Sequence, residues 1–381
     1  LLLAHGKEFL ALEIPPPTTK AQPLTKVFFA DDGSTAMEVA LKLSYEYWRR
    51  NGVAKPRFLS LNGAYHGDTV GAVSLGHIDL FHRAFSGLLF DAESVMAPYC
   101  YRCPFNRAKP ERADARTYRK CRWECVDAVA QKFSEARARG RRITSFVVEP
   151  LMQGAAGMIP QPEGWLARVA EITRANNAHL IVDEVMTGFG RVTDPDRGLF
   201  AVQQEQVVPD FLALAKGLTG GYLPMAATLT SQAVFDTFLG EYHQFKAFFH
   251  GHSYTANQLG AAAALASLDL LESRASRNDR AALANYFARE LEQLWSLPWI
   301  GDIRRAGLVA GIELVKDWTR RKPFDLRDRA GIRVCEAMAR RGVLTRPIGN
   351  VIVLMPPYCT TRAQLRKMVA VLADSIAETF K

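Results

Sequence analysis

The chain has 381 residues, 48% of them hydrophobic and 23% charged, with a formal net charge of +9. That length exceeds what one hydrophobic core usually serves, so a large domain with a smaller one is expected, and the composition excludes a disordered or fibrous chain. No apolar run nears the roughly 18 residues of a membrane span, and the opening LLLAHGKEFLALEI turns polar too soon for a signal peptide, which points to the cytoplasm. The sequence starts without Met, so residues 1–26 read as the remnant of a longer N-terminal segment.

In chain order, KVFFA (26–30) predicts a strand. STAMEVALKLSYEYWRR predicts a helix, with Met37, Ala40, Leu41, Ser44 and Trp48 at helical spacing. RFLSL (57–61) and SFVVEP (145–150) predict strands, GWLARVAEITRANN (164–177) a helix, and HLIVDEV, FLALAK (211–216) and MAATLT (225–230) further strands. Strands separated by helices imply parallel pairing, hence an α/β fold with a mainly parallel central sheet over residues 27–270. A polar, turn-rich insertion interrupts it at about 98–126. From residue 271 charged helices alternate with the short strands GLVAGIELV and VIVLMPP, a smaller C-terminal α+β domain to residue 381. The basic residues are scattered, and their densest runs, RARGRR (137–142) and RRK (320–322), read as solvated helix ends and loops. No RNA-binding or helix-turn-helix pattern accompanies them, so nucleic acid is set aside as a partner in favour of an anionic small molecule.

Four stretches carry chemistry. In ADDGSTAMEVALK (30–42) a strand ends in a turn and a helix opens on Gly33, Ser34 and Thr35, with Thr35 and Glu38 at capping-box spacing. Free amides there suit a phosphate, although a plain capped helix fits equally. In LNGAYHGDTVGAVSLG (61–76) Tyr65 and His66 follow a strand, where an aromatic ring can stack on a flat heterocycle or simply line a turn. HLIVDEVMTGFGR (179–191) ends an aliphatic strand in Asp183 and Glu184, and a buried carboxylate needs a partner. FLALAKGLTGGYLP (211–224) supplies Lys216 at the end of another apolar run. A desolvated lysine is readily unprotonated, the form that attacks an aldehyde, but an ion pair from Lys216 to Asp183 or Glu184 fits the spacing too.

Together the four stretches contain what a pyridoxal phosphate (PLP) site requires: a phosphate turn, a stacking ring, a carboxylate for the pyridine nitrogen and an amine for the aldehyde. With VVEPLMQGAAGM and HGHSYTANQLGAAAAL they resemble the fold-type I PLP enzymes of the class III aminotransferase group over nearly the whole chain. Within the group, YHGDTVGAVSLGHIDLFH and TRPIGNVIVLMPPY are most similar to the branch that makes diamines for biotin synthesis. The resemblance implies that Gly33, Ser34 and Thr35 hold the phosphate and that Tyr65 stacks on the ring beside His66. It implies that Asp183 pairs with the ring nitrogen, Val185 packs on the opposite face and Lys216 binds the aldehyde. Glu149 would position neighbouring groups. Ser253 would reach the phosphate of the other subunit in a homodimer whose active sites are shared, and Arg346 would hold a substrate carboxylate through its planar guanidinium. Donor amine and keto acceptor are then small molecules, with S-adenosylmethionine or lysine as donor and 8-amino-7-oxononanoate as acceptor. The same cofactor residues would serve a broad ω-amine or diamine transaminase. A non-catalytic basic binding protein, with Lys216–Asp183 as a buried ion pair, is the reading from another class.

One motif stands outside that resemblance. Cys100 and Cys103, then Cys121 and Cys125, form two close pairs separated by 17 residues. This spacing fits a four-thiolate site for zinc or an iron–sulfur cluster clipping a segment poor in apolar residues, or else four free cysteines. Cys335 and Cys359 read as packing residues.

Overall fold

The computed structural model describes residues 22–381. The expectation for residues 1–26 therefore falls mostly outside the described residues, and Leu24 already opens the first strand. Seven strands form one sheet: β1 (Leu24–Ala30), β2 (Arg57–Leu61), β3 (Glu93–Val95), β4 (Ile143–Val148), β5 (His179–Asp183), β6 (Phe211–Leu214) and β7 (Ala226–Ser231). Their spatial order is β1-β7-β6-β5-β4-β2-β3. Only β7 runs against the rest, pairing antiparallel with both β1 and β6. The sheet is thus mainly parallel, as the strand–helix alternation predicts.

Both faces of the sheet are covered, which explains why β5 lacks polar alternation. Leu180 and Val182 point into one core with residues of α2 (Glu124–Ala138), α3 (Trp165–Ala175) and α4 (Gln258–Glu272). Ile181 points into the other, beneath α1 (Gly33–Arg50). Helix α1 buries Met37, Ala40, Leu41, Ser44 and Trp48 at the predicted spacing. Arg49 and Arg50 close its last turn, where the helix dipole favours cations. The buried Ser44 hydroxyl is satisfied by Ser145 at 2.7 Å and His179 at 2.8 Å. No helix among the described residues is long and apolar enough to cross a membrane.

A second, antiparallel sheet lies in the C-terminal part, built on β8 (Ile300–Ala306), β9 (Val309–Asp317) and β10 (Val351–Leu354). Helices α5 (Arg274–Glu292), α6 (Ala330–Arg340) and α7 (Arg362–Phe380) share its core. Arg304 on β8 joins this sheet to the loop that follows β4 of the large one. Its guanidinium donates to the carbonyls of Gly157 at 2.8 Å and Met158 at 3.0 Å, and to Glu313 at 2.6 Å and Asp302 at 3.2 Å. Tyr99 and Arg102, at the start of the insertion, also donate to Glu313.

The insertion corrects the sequence reading. Among the described residues no group of three or more His, Cys, Asp or Glu side chains is placed to hold a metal ion, so Cys100, Cys103, Cys121 and Cys125 do not form a ligand set. All four are free thiols. Cys125 belongs to the main core and Cys100 to a small cluster with Tyr101 and Ala115, while the Arg119 guanidinium takes the Cys121 sulfur at 3.0 Å. Polar bonds hold the segment. Asn106 donates to the Cys100 carbonyl at 2.9 Å and accepts from the amides of Ala108 and Lys120 at 3.1 and 3.0 Å. Cys335 is buried as expected of packing, whereas Cys359 is exposed.

The Arg304 cluster gives a first prediction. Arg304→Met leaves Asp302 buried without its cation and Glu313 with Arg102 alone, and should lower unfolding free energy by about 3–5 kcal/mol in urea titrations. Arg320→Met, at a largely exposed arginine, should change it by less than about 0.5 kcal/mol.

Candidate active site

The carboxyl ends of β1, β2, β4, β5 and β6 deliver the four chemistry-bearing stretches and Glu149 to one edge of the sheet, where open α/β sheets bind ligands. At β1 the chain turns into α1. The capping box expected between Thr35 and Glu38 is made instead by Asp32 and Thr35. Asp32 accepts the Thr35 amide at 3.0 Å, and the Thr35 hydroxyl bonds back to the Asp32 amide and carbonyl. Glu38 reaches across to the amides of Gly71 at 2.6 Å and Ala72 at 3.2 Å, holding the next turn. The Thr35 side chain is therefore committed to the cap. The amides of Gly33 and Ser34 stay unclaimed among the described residues, a pair of donors at a helix start.

The β2 loop lies directly over this turn. Ser34 Oγ accepts the Thr69 amide at 3.0 Å and bonds the Thr69 hydroxyl at 2.8 Å. A Cβ on Gly67 would fall 2.3 Å from Ser34 Oγ, and one on Gly33 would fall 2.6 Å from Val185. Only glycines allow the two loops and the end of β5 to close on one another so tightly.

Asp183, the last residue of β5, finds a partner that sequence spacing did not reveal. His66 Nδ1 lies 2.8 Å from Asp183 Oδ2, with the two side chains 0% and 6% exposed. A carboxylate can only accept, so Nδ1 carries the proton. The other oxygen takes the Val185 amide at 3.0 Å. Burial pulls the His66 pKa down, but the hydrogen bond and charge of Asp183, helped by Glu149, outweigh it and leave a net rise. Glu149 follows β4, buried, and accepts the Gly154 amide at 2.8 Å. Burial above all drives its pKa up to about 7, with His66 opposing and Asp183 adding to the rise.

Tyr65 is half-buried beside this pair. Its hydroxyl donates to Asp68 at 2.7 Å, and its pKa is pushed up to about 12 by burial and by Asp68. Arg346 and Asp183 both act on the same hydroxyl electrostatically, which places the exposed Arg346 within reach of the ring. Asp68 was missed in the sequence, although its place three residues after Tyr65 in the same turn was a usable signal.

Lys216 departs from expectation. Strand β6 ends at Leu214, and Lys216 opens a 3-10 turn (Lys216–Thr219) at φ +40°, with its side chain exposed. The chain by itself does not supply the expected burial. Nor does Lys216 pair with an acid among the described residues. Asp183 is held by His66, and Glu184 accepts the amides of Ala201 and Val202 at 2.7 and 2.9 Å. Ser253 is exposed and makes no hydrogen bond among the described residues.

These residues fit PLP. Two unclaimed amides match a phosphate, and a buried carboxylate fixed by two donors matches a protonated ring nitrogen. A half-buried aromatic ring and an unpaired strand-end lysine complete the set. Fold and site together define a fold-type I transferase. The sequence matches the class-III aminotransferase family model over residues 8–376, and the chain belongs to that family. It is 45% identical over 365 residues to the adenosylmethionine-8-amino-7-oxononanoate aminotransferase of Geobacter sulfurreducens, covering 96% of this chain and 76% of that one. The enzyme of the same name from Nitratidesulfovibrio vulgaris is 44% identical, over 93% of this chain and 63% of its own. Among solved structures, that of the Methanocaldococcus jannaschii enzyme of the same name superposes with a TM-score of 0.84 at 36% identity, covering 99% of this chain and 78% of that one. An amine transaminase from an uncultivated Pseudomonas species, in its PLP-bound form, gives 0.81 at 33% identity over 93% and 77%.

Glu149 sets a pH dependence. Its folded pKa of about 7 lies above the ordinary 4.5, so the folded chain keeps a proton that the unfolded chain has lost, and stability falls as pH rises between those values. Urea unfolding of the cofactor-free protein should show Glu149→Gln gaining about 1–3 kcal/mol on its parent between pH 5 and pH 7.5. A difference that does not change with pH contradicts this.

Proposed function

We propose that the chain is a PLP-dependent aminotransferase that moves the amino group of S-adenosylmethionine to 8-amino-7-oxononanoate, giving 7,8-diaminononanoate for biotin synthesis. The observation that carries this reading is the meeting of Asp183, Tyr65 and Arg346 at one end of the sheet. It joins a ring-nitrogen partner and a stacking ring to a free guanidinium for the acceptor's carboxylate. The named substrates of the relatives point to the same pair of reactants.

Bound PLP supplies an aldehyde that takes up the donor's amino group and a cationic ring that draws electrons from the adjacent carbon. The chain's own residues do the remainder. Asp183, with one oxygen on His66 and the other on Val185, keeps a proton on the ring nitrogen. The Gly33 and Ser34 amides hold the phosphate, and Tyr65 covers the ring. Lys216 Nζ would take the proton from the donor carbon and return it to the cofactor carbon beyond the intervening nitrogen, acting as general base and then as general acid. Arg346 orients the acceptor through its carboxylate with parallel N–H donors. In the second half the amino group passes to the acceptor's keto carbon, and the keto oxygen leaves as water.

The protein is proposed to work as a homodimer in the cytoplasm. Ser253 sits in an exposed stretch with Tyr242, Phe245, Phe249, Tyr254 and Leu259, all open to solvent in a single copy. A second copy would cover these side chains and place Ser253 at the neighbour's phosphate. Light scattering should give twice the chain mass, and a monomer at micromolar concentration would remove this part of the reading.

Assays with S-adenosylmethionine and 8-amino-7-oxononanoate test the activity. Arg346→Ala should lower kcat/KM for the acceptor by about 10- to 100-fold, the range for losing a charged hydrogen bond, and leave the donor half-reaction unchanged. Equal turnover of simple amines with pyruvate would instead favour a broad ω-amine transaminase.

A further inference from the structure

The loop following β5 is gripped from two sides. Phe189, buried and at φ +60°, is a non-glycine residue in the left-handed region, as is Lys216 at φ +40°. Such conformations persist only where the surroundings over-determine them. The two residues touch through a glycine. A Cβ on Gly217 would lie 2.8 Å from Cβ and from Cδ2 of Phe189, so the ring sits flush against the backbone that carries Lys216. On that side Ser267 also donates to the Gly217 carbonyl at 2.9 Å.

The other grip comes from the C-terminal part of the chain. Tyr358 donates its hydroxyl to the Phe189 carbonyl at 2.8 Å. The Tyr358 ring has the Arg191 guanidinium 4.4 Å and the Arg280 guanidinium 5.7 Å from its centre. Arg191 donates to the Pro356 carbonyl at 2.8 Å, and the Leu308 amide donates to the Arg191 carbonyl at 2.9 Å. Nothing in the aminotransferase reading uses Tyr358, Phe189 or Arg191, yet they form a continuous line of contacts from the smaller sheet to the reactive lysine.

We propose that Tyr358 is a positioning residue for Lys216: its hydroxyl fixes Phe189, Phe189 fixes the backbone at 216–217, and the seating of the C-terminal part thereby sets how the lysine amine meets its aldehyde. The inference rests on the PLP reading above. The step affected is the condensation of Lys216 Nζ with the aldehyde carbon, which forms a C=N bond and releases one water. Sodium borohydride traps that bond by delivering hydride to the carbon while solvent supplies a proton to the nitrogen.

The experiment mixes cofactor-free protein with PLP. It follows binding by intrinsic fluorescence and follows the fraction of Lys216 modified after borohydride addition by mass spectrometry. Tyr358→Phe keeps the ring between its arginines and loses only the donor. It should bind PLP within twofold of the parent but form the trapped bond about three- to tenfold more slowly, the range for one neutral hydrogen bond. Tyr286→Phe, which loses the hydroxyl that accepts from Arg366 at the rim of the smaller core, should trap at the parental rate. Should Tyr358→Phe fail to fold, Phe189→Leu carries the same test, because it removes the ring from Gly217 while keeping the carbonyl. Trapping by Tyr358→Phe or Phe189→Leu at the parental rate overturns the inference, as does equal slowing in Tyr286→Phe. If the parent protein takes up no PLP, the functional reading itself fails, and this inference goes with it.

Discussion

A carboxyl group buried at the end of a strand and held by two hydrogen bonds is the constraint on which the site depends. Asp183 sits in a part of the protein where an unpartnered charge costs several kcal/mol, and two donors from different loops hold it there. Val185 supplies a backbone amide from the same loop, and His66 supplies Nδ1 from the loop after β2. The second donor obliges the β2 loop to lie against the end of β5. Tyr65, Gly67 and Thr69 are thereby fixed over the start of α1. The start of α1, Tyr65 and Asp183 share a frame because the His66–Asp183 bond and those of Ser34 with Thr69 tie their loops together.

A second buried charge cluster does comparable work between the two sheets. Arg304 spends its donors on two acids and on the carbonyls of Gly157 and Met158, in the loop that follows Glu149. Tyr99 and Arg102 bring the cysteine-bearing insertion to the same acids. Such a cluster adds less stability than its close distances suggest, since desolvation offsets most of the attraction. Its geometric demand is strict, however, and it sets where the C-terminal part sits against the active-site loops. The insertion, poor in apolar residues, is tied down by polar bonds. Asn106 uses both ends of its amide to tie three strands of backbone together, and the thiols fill space around it.

Much of this was legible in the sequence, for identifiable reasons. The strand at 179–183 announced itself by an apolar run with no polar alternation, and α1 by apolar residues at helical spacing. Both are local consequences of burial on two faces and on one. The chemistry-bearing residues of the four stretches were legible because they lie within five residues of a strand's carboxyl end, and strand ends can be read from the pattern. The errors share a cause as well. The Thr35–Glu38 box, the buried Lys216 and the four-thiolate site were each inferred from spacing along the chain. Other contacts had the stronger claim: Gly71 and Ala72 on Glu38, from the next turn, and Arg119 on Cys121, from two residues away. Lys216 lies past the end of its strand at Leu214, in a 3-10 turn whose Gly217 packs against Phe189.

What the sequence determined by itself was therefore the set of elements and the inventory of reactive groups, since hydrophobic periodicity and residue chemistry are properties of short stretches. What only the tertiary structure decided was partnership. His66 and Asp183 are 117 residues apart, and Tyr358 and Phe189 are 169 apart. No local pattern encodes such pairs, because they arise when strands distant in sequence become neighbours in one sheet and buried polar groups must be satisfied by whatever that arrangement brings near.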